Sequence, residues 1–284
     1  MRAMTTSETA TVPARDGTEL LVRHWAAIGR PWASVLLVHG LAEHSGRYEH
    51  VGRQLAEAGL EVDAYDQRGF GGSAGRRAFV ERWSQNHDDL EQRLAAVRSA
   101  AGGRPVVLFA HSLGGLIALG YVLAEPARPL PDILVLSAPA LESTIPVWKQ
   151  LMARVLGTVA PTLEINNEFD GSILSRDPSV GERYQADPLN QHATTTRYGA
   201  LAIAEQARVR RALSRLSIPT LVYHGEDDHL VPTVASAPLA GIPGVTRRTY
   251  PGLRHESHNE PDGPVVIADV IAWLQETVGS ASGG

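Results

Sequence analysis

The sequence contains no cysteine, and only one of its 26 basic residues, Lys149, is a lysine. The absence of cysteine excludes a disulfide scaffold, a thiolate metal site and a cysteine nucleophile. With 31 acidic residues the net charge is -5, so no basic field attracts nucleic acid. No stretch approaches the roughly 20 continuous apolar residues of a membrane span, and the N-terminal segment lacks the apolar core of a signal peptide. These absences predict a soluble, cytoplasmic protein without a nucleic-acid partner.

The sequence does contain strand and helix patterns that alternate along most of the chain. Short apolar runs such as ASVLLV, PVVLFA and DILVLS are continuous, which is typical of central parallel strands covered on both faces. Strands alternating with helices favour a parallel sheet with crossover connections. We therefore predict an α/β fold with a mostly parallel central sheet flanked by helices. The predicted strands cover residues 18–25, 33–38, 60–65, 105–109, 133–136, 218–223 and 245–250, and the predicted helices cover 48–58, 84–100, 113–124 and 264–278.

The interval from residue 141 to 216 shows no strand pattern, and about 75 residues are too many for a plain loop. We predict a helical cap over 141–216, inserted into a core domain of residues 1–140 and 217–284. Within the cap, an amphipathic helix ends before Pro161. Its apolar stripe either packs against the sheet domain or lines an apolar pocket, and transient membrane contact through the cap is also expected. The stripe comprises Trp148, Leu151, Met152, Val155 and Val159.

The strongest local signal is the segment PVVLFAHSLGG, in which a buried strand leads into Ser112 and then into an apolar helix. A nucleophile elbow has this pattern, because its serine occupies a strained strand-to-helix turn and the helix N-terminus faces the developing oxyanion. The alternative is a serine that only caps the helix. Ala110 departs from the G-x-S-x-G pattern, and its methyl group adds crowding to a tight turn. The segment predicts Ser112 as a nucleophile.

A serine nucleophile needs a base, and the base needs an orienting carboxylate. In this class of fold the chain order is serine, acid, histidine. Two strand ends follow Ser112 in that order: one leads into Asp227 and Asp228, the other into His255 and His258. From the residues alone, both pairs stay open. The string HESH also holds metal-binding residue types, but its spacing is not H-E-x-x-H, so we predict no metal site there.

The dipeptide His39-Gly40 follows the predicted strand 33–38. A turn there allows the backbone N–H of Leu41 to join that of Leu113 as two donors for a tetrahedral oxygen. The alternative is an ordinary strand-ending turn. We predict Leu41 and Leu113 as an oxyanion hole.

With these residues in hand, the chain resembles the α/β-hydrolase superfamily and, within it, the monoacylglycerol lipase branch. The resemblance implies a serine hydrolase that splits a monoacylglycerol into fatty acid and glycerol without a cofactor. By position it implies the nucleophile at Ser112, the acid at Asp228, the base at His255 and the oxyanion donors at Leu41 and Leu113. It extends from about residue 16 to 273, through HGLAEHSGRY, DQRGFGGSAG, AHSLGG, SAPAL, SRDPSVGERYQADPL, HGEDDHLVP and YPGLRHESHNEP.

The same resemblance implies a polar pocket for the glycerol headgroup at Glu43, Arg47 and His258, with Tyr184 of the cap nearby. The alternative is a structural ion pair of Glu43 with Arg47 and a solvated His258. Phe70 departs from the branch, which often has histidine there.

Two other functions stay open: a broader carboxylesterase or lysophospholipase, and a ligand-binding protein without turnover. If the stripe lines the pocket, the acyl chain contacts Trp148, Leu151 and Met152.

Overall fold

The computed structural model describes residues 6–142, 145–167 and 171–281. Residues 1–5, 143, 144, 168–170 and 282–284 of the predicted core and cap lie outside the described residues. The described residues form ten strands and seven α-helices. The strands are β1 (Glu8–Pro13), β2 (Glu19–Trp25), β3 (Ala33–Val38), β4 (Leu60–Tyr65), β5 (Val106–His111), β6 (Ile133–Ser137), β7 (Glu164–Asn166), β8 (Ala193–Thr195), β9 (Thr220–Gly225) and β10 (Val245–Tyr250). The helices are α1 (Glu49–Glu57), α2 (Ser84–Ala101), α3 (Leu113–Val122), α4 (Val147–Val159), α5 (Pro178–Ala186), α6 (Thr196–Ala212) and α7 (Gly263–Ala281).

Eight of the strands form one sheet in the order β1-β2-β4-β3-β5-β6-β9-β10. The pairs β1–β2 and β2–β4 are antiparallel, and every pair from β4 to β10 is parallel. The predicted mostly parallel sheet is confirmed. Strand β1 is absent from the prediction because it is an exposed edge strand without a continuous apolar run.

The continuous apolar strands are buried on both faces. In β3, Val35 and Leu37 join one core cluster with α1 and α7, whereas Leu36 and Val38 join the other with α2 and α3. Successive side chains of a strand point to opposite faces, so a strand between two helical layers needs apolar residues at every position. The same arrangement places the carboxyl ends of β3, β5, β9 and β10 along one edge of the sheet.

The segment from 141 to 216 contains α4, α5 and α6, as a helical insertion requires, and also two short strands. Strands β7 and β8 pair in antiparallel fashion, so the expectation of no strand in this interval is wrong. Each has only three residues, too few for a hydrophobic period to be visible in the sequence. Helix α6 contributes Tyr198 and Val209 to the core cluster that it shares with α2 and α3.

Helix α4 coincides with the predicted amphipathic helix, but its apolar stripe faces solvent. Gly157 is the one buried residue of this helix, and a Cβ there would lie 2.6 Å from the Ala200 side chain. The helix therefore lies close against α6 through its glycine side and turns its apolar side outward. The prediction that the stripe packs against the sheet domain is therefore wrong. The exposed fractions are 60% for Trp148, 61% for Leu151, 51% for Met152, 55% for Val155 and 71% for Val159.

None of the helices in the described part of the chain combines the length and the apolar character needed to cross a membrane.

Candidate active site

Ser112 lies in a strained turn between β5 and α3. Its backbone has φ 51° and ψ -115°, in the left-handed half of φ space that side chains rarely adopt. The glycines that follow permit this turn: a Cβ on Gly114 would lie 2.4 Å from the Val38 carbonyl oxygen, and one on Gly115 would lie 2.9 Å from Pro139. Small residues are therefore required where β3 approaches α3. The methyl group of Ala110 is buried in the core cluster and does not prevent the turn.

The imidazole of His255 joins Ser112 to Asp228. Its Nε2 lies 2.9 Å from Ser112 Oγ, and its Nδ1 lies 2.6 Å from Asp228 Oδ2. Because Asp228 Oδ2 is an acceptor, Nδ1 carries the proton and Nε2 is free to accept the serine hydroxyl proton. Asp227, the other candidate acid, is exposed. The structure therefore brings together the serine, histidine and aspartate that the resemblance implied.

The electrostatics of this trio favour an ionised acid and a basic imidazole. Burial opposes ionisation of Asp228, but the charge of His255 and hydrogen bonds from His224, His255 and Val231 hold its pKa below the usual range. Burial also opposes protonation of His255, yet the pKa of His255 is raised because Asp228 acts on it by charge and by a hydrogen bond. An imidazole of this kind can take a hydroxyl proton while the carboxylate stabilises the resulting cation.

The loop after β3 is held against Ser112 by its own hydrogen bonds. His39 Nε2 accepts from the Gln67 backbone N–H at 2.9 Å, and Gln67 Nε2 donates to the His39 carbonyl at 2.6 Å. A Cβ on Gly40 would lie 3.3 Å from Ser112 Cβ, so the loop passes directly beside the serine. Across the described residues, no protein group accepts from the N–H of Leu41 or Leu113. Both remain available as donors.

Glu43 and Arg47 form the ion pair considered for them, and the network extends further. Arg47 Nη1 donates to Glu43 at 2.5 Å, and its guanidinium also binds both carboxylate oxygens of Glu256, at 2.6 and 2.7 Å. The arginine lies 4.9 Å over the Tyr184 ring, whose hydroxyl donates to the Ala42 carbonyl. Burial opposes ionisation of Glu256, but Arg47 holds the pKa of this carboxyl below its usual range. Glu256 is the member of this network that the sequence did not indicate.

His258 is buried next to the trio, so its interpretation as a solvated loop residue is wrong. Its ring stacks on Tyr48 at 5.0 Å between centroids and meets the His111 ring edge-on at 4.9 Å. Among the described residues, neither ring nitrogen of His258 has a hydrogen-bond partner. Burial, together with the neighbouring His111, lowers the pKa of His258 well below its usual value. A neutral, buried imidazole with two unused nitrogens can bind a hydroxyl group.

Sequence reasoning did not single out His111 or His224, both of which contact this centre. His111 precedes Ser112, and burial lowers the pKa of His111 to about 3, so the ring is neutral. His224 bonds to Asp228. The signal for both was their position at the carboxyl end of a buried strand, β5 and β9 respectively.

Comparisons with known proteins assign the chain to a family. The family model "Serine aminopeptidase, S33" matches residues 29–262. The chain is 35% identical over 265 residues to a monoacylglycerol lipase of Mycolicibacterium smegmatis, covering 91% of this chain and 93% of that protein. It is 33% identical over 283 residues to the human monoglyceride lipase, covering 94% and 91%.

Solved structures show the same architecture. The crystal structure of a monoacylglycerol lipase of Paleococcus ferrophilus is 30% identical, with a TM-score of 0.79 over 90% of this chain and 98% of that chain. A soluble variant of monoglyceride lipase from Saccharomyces cerevisiae, 20% identical, superposes with a TM-score of 0.84 over 97% and 96% and supports the fold. The resemblance seen in the sequence is thus confirmed, and the chain is a hydrolase of the serine aminopeptidase S33 family, with the α/β-hydrolase fold and monoacylglycerol lipases among its relatives.

Proposed function

We propose that this protein hydrolyses the ester bond of monoacylglycerols, releasing a fatty acid and glycerol. The observation that carries the proposal is the hydrogen-bonded chain from Ser112 through His255 to Asp228 beside two free backbone donors. The relatives named as monoacylglycerol lipases over nearly their whole length support the choice of substrate.

In the proposed reaction, Ser112 Oγ attacks the ester carbonyl carbon while His255 Nε2 takes the hydroxyl proton. The N–H groups of Leu41 and Leu113 donate to the oxyanion that forms. When the tetrahedral intermediate collapses, glycerol leaves with the proton from His255, and the acyl group stays on Ser112. Water then attacks the acyl-enzyme with the same proton transfers and restores the free serine. Asp228 keeps the imidazole oriented and stabilises its cation in both steps.

We propose His258, Glu43, Arg47 and Tyr184 as the surroundings of the glycerol headgroup. The support is the unpartnered imidazole of His258, since buried polar groups are normally hydrogen-bonded. A glycerol hydroxyl would supply that partner. Arg47 already forms ion pairs with the carboxylates of Glu43 and Glu256. Its proposed role is therefore to hold Glu43 in place rather than to contact the substrate.

We further propose that residues 141–216 act as a cap and that α4 rests on a lipid surface. In the part of the chain that the structure describes, nine of the fourteen exposed large hydrophobic side chains lie between residues 145 and 165. The charged residues of α4, Lys149 and Arg154, are both basic, and an apolar face with basic residues suits an interface with anionic lipid. On this proposal Trp148, Leu151 and Met152 meet acyl chains at the membrane, where the substrate resides.

The decisive experiment measures hydrolysis of a series of glycerol monoesters beside di- and triacylglycerols, a lysophospholipid and the matching methyl esters. We expect monoesters of glycerol to have the highest kcat/KM, and a fluorophosphonate probe to label Ser112. Equal rates on methyl and glycerol esters would establish a broad carboxylesterase instead, and preference for the lysophospholipid a lysophospholipase. Ligand binding without turnover or labelling would identify a binding protein.

A further inference from the structure

His224 is a second histidine on the carboxylate of Asp228. It is fully buried near the end of β9, and its Nε2 lies 3.0 Å from Asp228 Oδ2 and 2.9 Å from the Val231 carbonyl oxygen. Both of these atoms are acceptors, because the pKa of Asp228 is low and a carbonyl never donates. Nε2 therefore carries a proton and donates it toward Asp228.

The other side of the His224 ring is held as well. Its Nδ1 lies 3.0 Å from Ser236 Oγ, and that hydroxyl oxygen accepts from Arg247 Nε on β10 at 3.0 Å. The charged and titratable groups around the ring are thus Asp228, His255 beyond it and Arg247, which Glu226 partly balances. An imidazole contacted at both nitrogens has one orientation, so its donor points at Asp228 without rotamer freedom.

Four donors consequently surround the Asp228 carboxylate. Oδ1 accepts from the backbone N–H groups of Leu230 at 2.8 Å and Val231 at 2.9 Å, and Oδ2 accepts from His224 and His255. The oxygen that orients the proposed base therefore shares its charge between two imidazoles. This sharing limits how strongly Asp228 raises the basicity of His255, and it fixes the plane of the carboxylate.

We propose that His224 is a positioning residue of the reaction: its Nε2–H holds Asp228 Oδ2 in the plane that His255 needs and draws part of the carboxylate charge away from His255. The sequence signal is a histidine four residues before the acid, at the end of the same buried strand. This inference rests on the proposed function, because it presumes that Asp228 and His255 act on Ser112.

The test compares His224→Gln with His224→Asn, using His229→Gln as the matched control. The glutamine amide reaches the position of Nε2 and keeps a donor for Asp228, whereas the shorter asparagine amide lies near Ser236 and leaves Oδ2 with one donor. His229 is exposed beside Asp228 and controls for loss of a histidine from this loop. Hydrolysis of a soluble glycerol monoester is followed from pH 5 to 9, with thermal unfolding recorded for each variant.

We expect His224→Asn to lower kcat about 10- to 100-fold, the range for a lost hydrogen bond to a charged group, with KM nearly unchanged. The acid limb of its pH profile should move to higher pH, because the whole charge of Asp228 then acts on His255. His224→Gln should recover most of kcat and the original limb. The pH at which the acid limb lies does not depend on the fraction of protein that is folded. This pH therefore tests the proposal even if His224→Asn is unstable.

Equal losses in the glutamine and asparagine variants, or an acid limb that stays in place in His224→Asn, would overturn the role assigned to His224. Failure of the proposed function has a different signature: Ser112→Ala would then retain turnover, whatever the His224 variants do.

Discussion

The loops at the carboxyl ends of β5, β9 and β10 differ sharply from helix α4. In the loops, the side chains of Ser112, Asp228 and His255 are buried and hydrogen-bonded to one another. In α4, apolar side chains are exposed, and Gly157 alone is buried. The proposed reaction thus involves side chains whose orientation is fixed by their hydrogen bonds. The exposed apolar side chains of α4 add little to the stability of the fold, which is why we propose a lipid surface as their partner.

The largest effect in the buried site is expected on substitution of Ser112. Ser112→Ala should lower kcat on the order of 10⁶-fold, the loss seen when a triad serine is removed, because no acyl-enzyme can form. Thermal unfolding should change little, since the elbow accepts a smaller side chain. Steady-state turnover and the pre-steady-state burst with a chromogenic ester measure the effect. A burst that survives in this variant would remove Ser112 from the reaction.

The next largest effect is expected at the acid. Asp228→Asn should lower kcat on the order of 10⁴-fold, because an amide in place of the carboxylate leaves the imidazole with the wrong tautomer and an unstabilised cation. Asp227→Asn is the matched control: its side chain is exposed and should change kcat less than about threefold. Comparable losses in the two variants would show that the acid is wrongly assigned.

Protonation of His255 should have a moderate effect on the pH dependence of kcat/KM. Because Asp228 raises the pKa of His255 above its usual 6.5, the base is protonated over a wider acidic range. We expect kcat/KM to fall about tenfold per unit as the pH drops below that raised pKa. The limb should move to lower pH in Asp228→Asn, where the negative charge is gone. A limb below pH 6.5 in the unaltered protein would contradict this electrostatic account.

The sequence predicted the core of the fold because its signals are local. Continuous apolar strands such as β3 and β5 indicated burial on both faces, and the turn around Ser112 follows from small residues next to it. The choice of Asp228 over Asp227 was different. Adjacent residues in a loop differ in direction by backbone angles that no periodicity encodes, so that choice came from the resemblance alone.

What the sequence missed depends on contacts between distant segments. The stripe of α4 was visible at helical spacing, but the spacing does not say whether the apolar side faces the protein. Gly157 against Ala200 settles that direction, and a pairing of two small residues across helices has no local signal. The contact of Glu256 with Arg47 joins residues 209 positions apart for the same reason.

A smaller effect is expected in the proposed headgroup pocket. His258→Ala should lower kcat/KM for a glycerol monoester by about 1–3 kcal/mol, because the substrate hydroxyl then loses its buried partner. The same variant should barely alter hydrolysis of the methyl ester of the same acid, which has no hydroxyl to bind. The two substrates therefore control for each other in one preparation. Parallel losses on both esters would reduce His258 to a packing residue of the Tyr48 stack.

The smallest effect on the folded protein is expected in α4. Because its apolar side chains are exposed, a substitution there should weaken lipid binding and leave the free energy of unfolding nearly unchanged. Leu151→Ser removes an exposed side chain, so the free energy of unfolding should change by less than about 0.5 kcal/mol. Sedimentation with phosphatidylglycerol-containing vesicles should weaken roughly tenfold, since a leucine side chain buried in lipid contributes about 1.5–3 kcal/mol. Val265→Ser on α7 is the matched control, because Leu151 and Val265 are each 61% exposed. If Leu151→Ser binds vesicles as well as Val265→Ser does, or if Leu151→Ser unfolds the protein, α4 is not the lipid-facing surface.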